Sequence, residues 1–344
     1  MLFRKHQDFQ IKLAQALGTQ VDFYVTREFP IESLILKAKY TTNAAGAGVM
    51  ATANADYLLN IVKRVQVVVS DGTRTRNVVD ATGPGILELF KNEAGQWDHF
   101  TNDAYQRNTA AYTGRISYPI FFSPPNMDDP NASTLLLPAP RFPQDIKVSV
   151  TLGSIADLDV NGAPTLTAFT VDLTLVVNRR FVDIANWPFY DQDILESSTP
   201  FAATLAPATI DLPIPGSFTG VCLRHYLTNA SRSDITAGKY IGIQVLNTVL
   251  RRVYFEDAWI ENELSTSPNI VAAPAPLAGV TFFDFLTDKL GMSNADLGSC
   301  LMTNPLAPTG AKAQVLFESV QAGSRMNVVT RRILGDIRPL ITAR

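Results

Sequence analysis

Val176-Val177-Asn178-Arg179-Arg180 and Val328-Val329-Thr330-Arg331-Arg332 are the two stretches on which the reading of this chain turns. Arg331 stands 152 positions after Arg179, and an aspartate follows each stretch, at Asp183 and Asp336. The first closes a clear alternation. Phe169, Val171, Leu173, Leu175 and Val177 interleave with Thr170, Asp172, Thr174 and Val176. Period two is the signature of a strand with one buried side.

Other landmarks recur in the same order. Tyr40-Thr41-Thr42-Asn43 has a counterpart in Tyr226-Leu227-Thr228-Asn229, and Lys63-Arg64-Val65 in Arg251-Arg252-Val253. A helix is expected over Ile86–Lys91, running to Gly95, and another over Phe282–Thr287, running to Gly291, each glycine suiting a helix C-cap. Ala139-Pro140 precedes a strand at Lys147–Leu152, and Ala307-Pro308 precedes one at Gln314–Ser319. Further alternation places Leu34, Leu36, Ala38 and Tyr40 on one side of a strand. Ile61, Val65, Val67 and Val69 share a side of a second, and Ile146, Val148, Val150 and Leu152 of a third. The chain therefore reads as two similar β-domains in tandem. Residues 4–17 break this pattern. Phe9, Leu13, Ala16 and Leu17 fall at helical spacing and Gly18 suits a C-cap, so an N-terminal amphipathic helix is expected there. Gln96–Thr134 reads as a long excursion, Gly153–Thr165 as a loop without an equal in the second half, and Ser197–Pro215 as an ordered crossing segment.

Bulk composition limits the function classes. At 344 residues, two domains are expected. Apolar residues make up 46%, charged residues 18% and the formal net charge is −3, which gives the whole chain no electrostatic footprint for nucleic acid. No apolar run is long enough to span a bilayer, and the start lacks the apolar segment of a secretory signal. Two cysteines, Cys222 and Cys300, do not make a disulfide framework and read as buried thiols.

The enzymatic motifs are absent. His6, His99 and His225 are too scattered for a β-barrel metal centre. There is no G-x-S-x-G elbow, P-loop or HExxH. Asp157, Asp159 and Asn161 open a D-x-D-x-N-G run like the start of a calcium loop. The glutamate needed at its twelfth position is Ala168, so a polar turn is the favoured reading. Asp191, Asp193 and Glu196 follow an aromatic cluster and read as a surface or contact loop rather than a glycosidase pair. No catalytic, cofactor-binding or metal site is expected beyond that calcium candidate.

Positive charge gathers at the ends. Arg325, Arg331, Arg332, Arg338 and Arg344 are opposed only by Asp336, and Arg4, Lys5 and Lys12 only by Asp8. If these ends share a surface, it would face anionic lipid or a phosphate layer. Ordinary intersubunit ion pairing is an equal reading.

Two tandem β-domains, a helix in a long connection of each, a proline-containing crossing segment and the Val-Val-x-Arg-Arg echo resemble the double jelly-roll major capsid proteins of tailless, membrane-containing icosahedral phages, the lineage of tectiviruses, corticoviruses and adenovirus hexon. The resemblance implies an all-β fold of two tandem eight-stranded jelly rolls, each with a short helix, plus the N-terminal amphipathic helix. The boundaries would be an arm at 1–26, the first roll at 27–196, a linker at 197–212, the second roll at 213–338 and a tail at 339–344. It implies a coat protein without catalysis or cofactor, trimerising into pseudo-hexagonal capsomers that tile an icosahedral shell. Its partners would be itself, minor capsid or vertex proteins and an internal membrane, with no sequence-specific nucleic acid. It would reside in the virion after assembly in the host cytoplasm. The basic residues Arg4, Lys5, Lys12, Arg325, Arg338 and Arg344 would face the membrane or genome. The competing reading is a two-domain β-sandwich that binds carbohydrate or a receptor, as a spike or lectin does.

Overall fold

A computed structural model describes residues 5–42, 56–94, 112–123, 135–158, 169–182, 189, 191–213, 216–227, 240–245, 248–254, 279–284, 301–303 and 313–334. The chain divides into two units, Met1–Phe189 and Tyr190–Arg344. The first contains β1 (Lys5–Ala16), β2 (Gln20–Val25), β3 (Ile31–Thr42), β4 (Val62–Ser70), β5 (Thr75–Ala81), β6 (Tyr112–Phe121), β7 (Ile146–Leu152) and β8 (Phe169–Arg180). They form two antiparallel sheets of strand order β1-β8-β3-β6 and β5-β4-β7-β2.

The second unit contains β9 (Asp191–Pro200), β10 (Ala208–Asp211), β11 (Gly216–Tyr226), β12 (Tyr240–Val245), β13 (Thr248–Tyr254), β14 (Val280–Asp284), β15 (Leu301–Thr303), β16 (Ala313–Phe317) and β17 (Arg325–Leu334). Its sheets run β9-β17-β11-β14 and β13-β12-β16-β10, and β15 adds a short pairing to β11. With β15 set aside, each strand of the second unit takes the place of the strand of equal rank in the first. One strand order is carried twice, as the recurring landmarks require.

The alternation places the core correctly. Leu34, Leu36, Ala38 and Tyr40 on β3, Val171, Leu173, Leu175 and Val177 on β8, and Ile146, Val148, Val150 and Leu152 on β7 are all buried. Phe218, Val221, Leu223, Ile241, Ile243, Val315, Phe317, Met326 and Val328 form the core of the second unit. Helix α1 (Gly83–Ala94) buries Ile86, Leu87, Leu89 and Phe90, in the place expected for the first helix. Gly83 lets it start against β4: a Cβ at that position would lie 2.2 Å from the Val62 carbonyl oxygen.

Five expectations are corrected. Residues 5–16 are strand β1, not a helix, and Gly18 serves the turn into β2 with φ +76° instead of capping a helix. Phe9, Ile11 and Leu13 satisfy a two-residue period as well as a helical one, and ten register pairs with β8 decide between them. Phe282–Asp284 belongs to β14, and the rest of the second expected helix lies outside the described residues. The excursion Gln96–Thr134 holds β6, an edge strand that tolerates Pro119. The expected loop at Gly153–Thr165 opens with a short helix, α2 (Ile155–Leu158). Finally, 191–196, assigned to the first domain, and 197–212, assigned to a linker, contain β9 and β10 of the second unit.

The Arg-Arg echo marks equivalent strands but misses their register by one residue. In the first unit β3 bulges opposite the step from Asn178 to Arg179. In the second, β11 bulges opposite the step from Arg331 to Arg332. Matching the bulges pairs Arg179 with Arg332, not Arg331. It also pairs core residue Leu175 with core residue Val328. A slip of one residue turns a side chain to the other face, so the two copies of the printed motif point opposite ways.

Replacing Leu173 by alanine should lower the unfolding free energy by about 2–5 kcal/mol, read from denaturant midpoints. Leu173→Asp, which buries an unpaired charge, should leave no soluble folded protein. A native-like circular dichroism spectrum for the aspartate variant would contradict the strand phase.

Candidate assembly surface

The end of β8 is built around two buried cations. Arg179 donates from Nε to Asp8 Oδ2 at 2.7 Å, from one terminal nitrogen to the Thr26 and Phe29 carbonyls at 2.9 and 3.3 Å, and from the other to Thr26 Oγ1 at 3.0 Å. Arg180 pairs with Glu32, which occupies the bulge of β3. Asp8 comes from β1, so the first strand of the unit is tied to the last. His6 Nδ1 lies 3.3 Å from Asp8 Oδ1.

The second unit repeats the device with different residues. Arg332 makes a two-pronged pair with Asp193 of β9, at 2.6 and 2.8 Å. Arg331 donates to Gln192 at 3.4 Å. Arg224 of β11 pairs with Glu196, which also accepts from Asn327 Nδ2 at 2.9 Å. Asp193 and Glu196 are therefore interior counter-charges, not members of a surface loop. Arg331 and Arg332 drop out of the basic terminal cluster for the same reason. The signal was present in the sequence: an acidic triplet early in one repeat and two arginines at its end.

The remaining candidates separate. Asp157 accepts from the Ser154 N–H and hydroxyl, both at 2.8 Å, and sits 2.9 Å from Lys63 Nζ. It is committed to the start of α2 and to an ion pair. Asp159 and Asn161 lie outside the described residues, and among the described residues no group of three or more metal-ligating side chains converges. Lys5 and Lys12 lie on β1 and Arg325 begins β17, its guanidinium 4.7 Å from the Tyr226 ring centre. Arg4, Arg338 and Arg344 lie outside the described residues, as do Trp97, Trp187 and Trp259. Among the described residues no helix is long and apolar enough to cross a membrane.

Among the described residues of the first unit, the exposed large apolar side chains are Tyr24 and three residues of β1. Phe9, Ile11 and Leu13 are 58%, 60% and 66% exposed, all on one side of an edge strand. They line the face of the β1-β8-β3-β6 sheet turned away from the core. Strand register carries two rows across that face: Phe9, Val176, Ile35, Pro119, in which Val176 and Pro119 are buried, and the more open Ile11, Thr174, Lys37, Ser117. Lys39 and Arg115 lie opposite each other beside these rows, and Lys37, Lys39 and Arg115 are all exposed. A sheet face that is apolar along the edge strand β1 and basic across β3 and β6 is suited to contact.

No protein-family model and no curated protein sequence matches the chain. Solved structures do. The STIV major capsid protein aligns with a TM-score of 0.67 at 13% identity, over 99% of this chain and 100% of that one. The atomic structure of Sulfolobus Turreted Icosahedral Virus gives a TM-score of 0.69 at 14% identity, over 99% and 93%. The major capsid protein P2 of bacteriophage PM2 gives 0.56 at 12% identity, over 96% and 99%. The chain shares the fold of double jelly-roll major capsid proteins across almost its full length.

Asp193→Ala should cost about 3–5 kcal/mol, because it strands a buried guanidinium. Asp193→Leu combined with Arg332→Met should recover most of that loss, measured by urea unfolding.

Acid should weaken the first unit. For Asp22, Asp80 and Asp157 burial pushes the carboxyl up. Hydrogen bonds and ion pairs outweigh it: Ser149 and Lys147 for Asp22, Arg64 and Gln66 for Asp80, Ser154 and Lys63 for Asp157. Each group ends below its ordinary value. The unfolded chain then binds more protons, so this stability is complete above about pH 4 and is lost as pH falls through the folded values. Asp157→Asn should be less stable than wild type at pH 7 and lose less on moving to pH 3, by urea midpoints.

Proposed function

We propose that this chain is a major capsid protein that trimerises into capsomers and tiles an icosahedral shell. The observation that carries the reading is a strand order carried twice in one chain, aligned end to end with major capsid proteins. The physical chemistry agrees. Buried ion pairs stiffen each unit from within, while large apolar side chains stay exposed along the edge strand β1, where a lattice neighbour would cover them. In this reading the chain works as a building block without turnover and resides in the virion. Minor vertex proteins and an inner anionic layer would be its further partners, the latter met by Arg325 and the basic termini.

One expectation attached to the coat reading changes. Residues 1–18 cannot be removed as a separate membrane-facing helix, because β1 supplies Asp8 to Arg179. Truncation there should destabilise the first unit instead of merely releasing it from lipid.

Purified chain should elute as a species of three chain masses by size-exclusion chromatography with light scattering, and should form closed shells or hexagonal sheets under electron microscopy at higher concentration. A monomer at all concentrations that binds glycans on an array would overturn the coat reading in favour of a lectin.

A further inference from the structure

The two units solve the same electrostatic problem differently. Bulge-matched register places Phe9 of β1 where β9 carries Glu196 and Ile11 where it carries Ser198. The same match places Lys37 of β3 where β11 carries Arg224. In the second unit the cation is buried and neutralised within the sheet, since Arg224 pairs with Glu196. In the first unit phenylalanine stands in place of the acid. Lys37, Lys39 and Arg115 are exposed and have no acid within ion-pair distance among the described residues. Among the described residues that face carries two acids: Glu32, which is taken by Arg180, and Asp172, which stands opposite Lys39 and whose Oδ1 accepts the Ala14 N–H at 2.8 Å. Lys39 and Arg115 are moreover directly opposite each other, a repulsive pairing in an isolated sheet.

We infer that this face of the first unit is a docking surface for a second copy of the chain, which supplies the carboxylates that Lys37, Lys39 and Arg115 lack and covers Phe9, Ile11 and Leu13. The inference rests on the self-assembly reading and specifies where contact occurs. Charge complementarity selects the occupant. The three cations and Asp172 give the face +2 in a chain of formal net charge −3, leaving −5 on the remainder. Two such faces would repel each other, so the contact is head-to-tail, face against a different, acidic surface, a geometry that forms a ring when its rotation closes. The size is adequate. Four strands at about 4.8 Å and roughly eight residues at about 3.4 Å give a face on the order of 500 Å². That is the core of a standard interface, which takes about 800 Å² from each partner.

The test uses the full chain with two variants. Phe9→Glu installs the acid that Glu196 provides in the second unit, and Lys37→Glu with Lys39→Glu reverses the basic centre. All these positions are exposed, so both variants should keep wild-type circular dichroism and thermal transitions. Each should weaken self-association at least tenfold by sedimentation equilibrium, and wild-type association should weaken as sodium chloride rises. Equal self-association of wild type and both folded variants would overturn the inference while leaving the coat reading intact. So would vesicles of anionic lipid binding wild type but not the variants, without any change in self-association. If wild type itself never associates, the coat reading falls first.

Discussion

The fold hangs on buried guanidinium groups. Arg179, Arg224 and Arg331 are among the largest fully buried side chains, and Arg332 is nearly so. A buried cation is tolerable only when its donors are nearly all used, and meeting that demand fixes which strands can be neighbours. In the first unit the acceptors come from β1, the β2–β3 connection and the bulge of β3. In the second they come mainly from β9. In both, the final strand cannot seat its arginines until the first strand is in register. The ion pairs add little net stability over an apolar core of the same shape, but they make misregistered pairings costly.

Much of this was legible in the sequence because strands with one buried side print a two-residue period. The inward sets on β3, β7 and β8 needed nothing more than that period. Where reading failed, the physics was ambiguous locally. Phe9 and Leu13 are four apart and fit a helix, yet Phe9, Ile11 and Leu13 also alternate. The period alone cannot report that their apolar side faces away from the core. The Ser-rich run after Glu196 looked like a connector because β9 turns small polar residues outward over much of its length. Asp193 and Glu196 looked like surface acids because the arginines they neutralise are 139 and 28 residues away. A counter-charge that distant leaves no local trace.

The contact surface was the least legible part. Basic ends drew attention as clusters of like charge, but two of the arginines there are buried. The informative contrast, Phe9 against Glu196 and Lys37 against Arg224, appears only once bulges align the two units. Read at the offset of the printed echo, Phe9 would be matched with a serine, and the missing acid would go unnoticed.

The paired bulges have a longer reach. Deleting the extra residue at Glu32 or Thr219 would turn the remainder of that strand inside out, so such an insertion cannot erode by small steps. Side chains around it are freer to vary, as Phe9 against Glu196 and Lys37 against Arg224 show. A shared irregularity of the backbone thus marks the equivalence of the two units more durably than any shared residue.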